Sequence, residues 1–145
     1  MIDDQVGDDE WLYRRVPSKN GMVEVSASSF NDRFRKPSVD RAKLRDNPQR
    51  TQLNPTDGIV KLLTLDVRAI EIRTTEIKNP GALASYDVDV AARPVYANNA
   101  KGEPENLSHA QIETNPEFEN DSRFKKLKEA LAILASKHGW IVRPT

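Results

Sequence analysis

The stretch that decides the fold is DSRFKKLKEALAILASKHGWIVR, residues 121–143. Phe124, Leu127, Leu131 and Leu134 recur at the three-then-four spacing that lines one helical face, and Ala130, Ile133 and Ala135 widen the stripe. Asn120, Asp121 and Ser122 each offer a side-chain oxygen to the free N–H groups of a first turn. Lys137 and His138 suit the negative end of the helix dipole, and Gly139 can take the left-handed conformation that stops a helix. Ile141 and Val142 then read as a short strand ended by Pro144. A helix with one apolar stripe must lay it on something, and the rest of the chain reads mostly as strands. The expectation is an α+β fold: a mostly antiparallel sheet of about five or six strands with one C-terminal amphipathic helix packed on it.

Working outward, two-residue alternation in Trp11–Val16 puts Leu12, Arg14 and Val16 on one face and Trp11, Tyr13 and Arg15 on the other. Arg14 therefore shares a face with two aliphatic residues and needs a carboxylate or carbonyl partner. The run from Ile59 to Ile70 reads as the most β-like in the chain, apolar on both parities like a central strand. Tyr86, Val88 and Val90 alternate with Asp87 and Asp89, so the first three face a core. Asp87 and Asp89 could approach a divalent cation, but no further ligand lies near them, and no metal is expected. His109 shares a strand face with Leu107, Gln111 and Glu113; imidazole is the side chain type best suited to a general base or a polar contact near neutral pH. Turns are expected at 18–21, 54–58, 79–81 and 98–102, and a short returning strand at 22–26.

The chain has 145 residues, enough for one domain, with residues 1–10 as an acidic flexible leader and 11–145 as a single α+β domain. It contains no cysteine, which excludes disulfides, thiolate metal sites and cysteine nucleophiles. No apolar run is long enough to span a bilayer and the N-terminus lacks a signal-peptide pattern, so no membrane partner is expected and the cytoplasm is the default location.

Net charge is zero but blocky: −5 over residues 1–10, +6 over 11–50, −5 over 51–120 and +4 over 121–145. Such blocks point to self-complementary faces or a charged partner rather than a uniformly basic nucleic-acid binder. Residues 33–50 hold seven bases and two acids, and Arg41, Lys43 and Arg45 are the nucleic-acid candidates there. The alternative for this segment is a solvated loop docked on the acidic middle block. Ser38 could cap a short helix over 39–45, or the segment could be a strand.

The chain lacks a P-loop, a dinucleotide fingerprint, zinc-ligand spacing and a Ser-His-Asp arrangement, which points away from an enzyme and from any cofactor. Tyr13-Arg14, Ser26-Ala27-Ser28 and Glu117-Phe118-Glu119 follow the arginine–serine–glutamate order and resemble ADP-ribosyltransferase-like domains. That resemblance implies Arg14 on NAD phosphate and a glutamate on a ribose hydroxyl. A second set of strings, Trp11-Leu12-Tyr13-Arg14-Arg15-Val16-Pro17, Ser38-Val39-Asp40-Arg41-Ala42 and His109-Ala110-Gln111-Ile112, resembles a group of small uncharacterised bacterial proteins. These occur as short open reading frames beside toxin, phage-defence or mobile-element genes. The second resemblance implies a non-catalytic accessory or adaptor subunit that acts on another protein, with Arg14, Arg15 and His109 as the partner- or ligand-binding candidates.

Overall fold

A computed structural model describes residues 5–18, 24–75, 81 and 83–145. The expected turn at 18–21, the strand at 22–26 and the turn at 79–81 fall wholly or partly outside these residues.

Seven antiparallel strands form one open sheet: β1 (Trp11–Val16), β2 (Ser38–Arg41), β3 (Gly58–Leu63), β4 (Glu71–Thr75), β5 (Leu83–Ala92), β6 (His109–Asn115) and β7 (Trp140–Val142). Their order across the sheet is β4-β5-β6-β2-β1-β3-β7. The strand count exceeds the expected five or six because Ser38–Arg41 enters the sheet between β1 and β6 rather than starting a helix.

The C-terminal helix, α2 (Asp121–His138), lies on one face of this sheet, as its apolar stripe requires. Asn120 is the cap: its Oδ1 accepts the Arg123 N–H at 3.0 Å. Phe124, Leu127, Leu131 and Ala135 are buried, and they pack on β3 and on a 3-10 turn at Ala27–Phe30. The stripe is rotated from the expected one, since Ala132 is buried while Ile133 points to solvent. Gly139 ends the helix with φ of 69°, and β7 then pairs with β3. The Trp140 ring lies where a side chain at position 58 would sit, so the close pairing of β3 and β7 needs Gly58.

The run at 59–70 does not stay extended. The chain turns at Thr64 into α1 (Thr64–Arg68). The cause is a set of acceptors that the local sequence does not contain: the Glu10 carbonyl takes the Thr64 N–H and hydroxyl at 3.0 and 2.8 Å, and the Asp8 carbonyl takes the Leu65 N–H at 2.9 Å. These satisfy two of the otherwise orphaned N–H groups of a first helical turn. Residues 5–10 are therefore not a flexible leader. Val6 joins the core and Glu10 is buried.

Because side chains alternate along each strand, register assigns the faces. Leu12, Val60, Leu62, Val39, Ala110, Ile112, Val88 and Val90 lie under α1 and α2, all buried. The opposite face carries a polar row across four strands: Lys61 pairs with Tyr13, Tyr13 with Asp40, and Asp40 with His109.

Candidate functional site

That polar row forms part of an open pocket of about 670 Å³. Tyr13 and Arg15 come from β1, Ser38 and Asp40 from β2, and His109 from the start of β6. The loops at 45–53 and 95–106 make its walls. The second loop is held closed by reciprocal backbone hydrogen bonds between Val95 and Asn106, at 2.9 and 2.8 Å.

Arg14 and His109 both line this pocket, on the two sides of Ser38. Arg14 does find carbonyl partners. Its Nε donates to Ser29 O at 3.0 Å, Nη1 to Ser38 O at 2.8 Å and Nη2 to Asn31 O at 2.9 Å. The Phe30 ring lies 5.7 Å from its guanidinium carbon. Burial, helped by the neighbouring charge of Arg15 and opposed by Asp32, pushes the Arg14 guanidinium down to about 10, still cationic at neutral pH. Arg14 thus ties the 26–31 loop and the open end of β2 to β1, and its donors point at main chain.

Arg15 is in a different position. It makes one long contact, 3.5 Å to Asp57 Oδ2, and its side chain is 32% exposed. Asp57 is already held by the Leu53 and Asn54 N–H groups at 3.0 and 2.9 Å. His109 Nδ1 lies 2.8 Å from the Arg93 carbonyl and Nε2 lies 3.1 Å from Ser38 Oγ.

Asp40 is a hub that the sequence did not single out. It is buried, and accepts from Arg45 Nη2 and Nε at 3.0 and 3.2 Å, from Thr51 Oγ1 at 2.8 Å and from Asn106 Nδ2 at 2.8 Å. It therefore ties both wall loops to the floor. Ser38 was equally hidden. The only local signal is that a strand over Ser38-Val39-Asp40 would put both polar residues opposite Val39.

The nucleic-acid candidates do not form a free patch. Arg41 is 1% exposed and donates to both Glu10 carboxylate oxygens at 2.8 and 2.9 Å and to the Gln5 carbonyl at 3.2 Å. Lys43 lies 3.5 Å from Glu10, and Arg45 is committed to Asp40. Arg41 and Lys43 dock on the acidic N-terminal residues and Arg45 on the segment's own Asp40, while Lys36 reaches the acidic middle block at Glu117, 2.9 Å away. Burial alone would raise the Glu10 carboxyl; hydrogen bonds from Arg41 and the Gly7 N–H, with the charges of Arg41 and Lys43, outweigh it and hold the group below its ordinary value.

The arginine–serine–glutamate order does not assemble either. Arg14 shares a small pocket with Ser28 and donates to the Ser29 carbonyl, but Glu117 pairs with Lys36 at 2.9 Å, Glu119 is exposed ahead of α2, and neither glutamate lines that pocket or the larger one. Asp89 is taken by Arg68 Nε at 2.7 Å. Among the described residues no group of three acidic or histidine side chains could hold a metal ion, and no helix is long and apolar enough to cross a membrane. Comparisons with protein-family models, with curated proteins and with solved structures found no significant match to this chain.

Proposed function

We propose that this chain is an accessory or adaptor subunit of a bacterial multi-protein system of the defence or toxin type, working in the cytoplasm by protein–protein interaction. It docks through the open face of the sheet, around the pocket floored by Tyr13, Asp40 and His109.

The observation that carries this reading is the rim of that pocket. Leu53, which lines it, is 76% exposed, and Tyr96, next in sequence to the lining residue Val95, is 60% exposed. Single exposed apolar side chains are ordinary, but an aliphatic one on a concavity with an aromatic one beside its wall loop is the kind of surface that interface anchors use. The charge blocks support the same reading. Glu10 with Arg41, Asp40 with Arg45, and Arg68 with Asp8 and Asp89 neutralise one another within the fold. That leaves Arg15 and Arg50 as accessible cations of the pocket beside the exposed acids Glu103 and Glu105, suited to a partner segment that carries charges of both signs.

The test is affinity capture of the tagged chain from its native cells, with Leu53→Asp plus Tyr96→Asp compared with Ile133→Asp, an equally exposed site on α2. A stoichiometric partner retained by Ile133→Asp and lost by the rim variant is the expected result. Equal recovery by both variants overturns the assignment of the docking face.

A further inference from the structure

The polar face also brings together two side chains whose chemistry goes beyond docking. Ser38 is the register partner of Gln111, so His109, two residues earlier on β6, is its diagonal neighbour on the same face. Ser38 Oγ and His109 Nε2 are 3.1 Å apart. The other ring nitrogen, Nδ1, lies 2.8 Å from the Arg93 carbonyl, which can only accept. These partners assign the tautomer: Nδ1 carries the proton, and Nε2 turns its lone pair to the serine hydroxyl. Arg93 holds His109 twice, since its own N–H donates to the His109 carbonyl at 2.9 Å. Ser38 is fixed in turn by the hydrogen bond from Arg14 Nη1 to its carbonyl. A hydroxyl, a base in the right tautomer and a third group that orients the base are the parts of an activated nucleophile.

Register also supplies a cation beside them. Tyr13 pairs with Asp40, so Arg15, two residues on, falls next to Ser38 where the β1–β2 ladder opens. Among the described residues its guanidinium makes only the 3.5 Å contact to Asp57, and Arg50, on the same pocket, only a 3.6 Å contact to Asp46. Both have donors left for a carboxylate or phosphate.

We propose that Ser38 and His109 are a nucleophile–base pair that hydrolyses small carboxylic esters bearing a negative charge, which Arg15 and Arg50 hold. Ser38 Oγ adds to the ester carbonyl carbon while its proton passes to His109 Nε2. The tetrahedral adduct expels the alcohol, which leaves with that proton. Water then attacks the Ser38 ester by the same route, giving its proton to His109, and the carboxylic acid departs as the serine hydroxyl is restored. Arg14 and the Arg93 carbonyl are positioning groups. The docking role does not depend on this chemistry, and separate readouts test the two: covalent labelling at Ser38 for the reaction, and partner capture by the Leu53→Asp plus Tyr96→Asp variant for docking.

The experiment treats the purified full chain with a fluorophosphonate probe near neutral pH and reads adducts by intact mass and peptide mapping. One adduct at Ser38 is expected, absent in Ser38→Ala and formed about 100-fold or more slowly in His109→Gln. With mono-p-nitrophenyl succinate and p-nitrophenyl acetate as paired substrates, Arg15→Gln raises KM for the charged ester and leaves the neutral one unchanged. Because the chain has no cysteine, Ser38→Cys supplies a single reporter thiol. Its alkylation by iodoacetamide should run about tenfold or more faster than that of Ser136→Cys on the exposed side of α2, and His109→Gln should remove the difference. Circular dichroism and melting confirm that each variant is folded. No adduct at Ser38 of the folded wild type, or a Ser38→Cys thiol indifferent to His109→Gln, overturns the proposal.

Discussion

The two faces of the sheet are built from the same strands and do opposite work. On the covered face Leu12, Val60, Leu62, Ala110 and Ile112 have no exposed surface at all. One residue along in each strand, Tyr13, Lys61, Gln111 and Glu113 keep contact with solvent. Ile59 beside β7 and Asp40 beneath the wall loops are buried on the polar side. Alternation at a period of two thus separates stability from chemistry at the scale of a single residue. The covered face fixes where the polar groups stand, and the polar groups are free to be chosen for what they contact.

That separation can be broken at a buried ion pair on the covered side. Arg41 points into the core with Leu12, and Glu10 is its buried partner. Glu10→Ala leaves the guanidinium buried without its carboxylate and should cost about 3–5 kcal/mol in urea unfolding. Leu131→Ala on α2, a cavity against the same face, should cost about 3 kcal/mol. The acid limb of stability follows from Glu10 as well. Its carboxyl lies below the ordinary value in the folded chain, so its contribution is present above the unfolded value of about 4.3 and is lost as pH falls through the folded one. Urea midpoints measured down to acid pH should drop steeply in the wild type and less steeply in Glu10→Gln. Asn120→Ala, which removes the α2 cap, should cost about 1 kcal/mol. At the far end of the scale, Leu53→Ser on the pocket of the open face and Tyr96→Ser beside its wall loop should move stability by less than about 0.5 kcal/mol. A large loss there would mean that the open face also carries the fold.

Much of the covered face was legible because its signals are local. Tyr86, Val88 and Val90 alternate in plain view, and Phe124, Leu127 and Leu131 repeat at helical spacing, with a capping asparagine and a terminal glycine at either end. The departures all come from distant partners. Thr64 starts a helix because carbonyls from residues 8 and 10 are waiting for it, and nothing in the run 59–70 announces them. Arg41 reads as a surface cation until Glu10, 31 residues away, neutralises it. Arg14 was legible as a half-buried charge in need of acceptors, though not which acceptors. His109 stood out by residue type, whereas Ser38 looked like a helix cap; their meeting depends on the pairing of β2 with β6, 71 residues apart at the hydrogen bond. Local pattern specifies which face a residue takes, while the neighbours on that face are set by topology.

The strand order has a consequence for how the molecule comes into being. β1 sits between β2 and β3, β2 waits for β6, and β3 waits for β7, the last strand made. A ribosome therefore releases the interior of the sheet before its flanks, and the apolar stripe of α2 arrives only after β1 to β6. Pairings this remote close slowly and leave unpaired edges exposed meanwhile. A chain cut short before residue 121 would carry a layer of valine, leucine and isoleucine without α2 to shelter it.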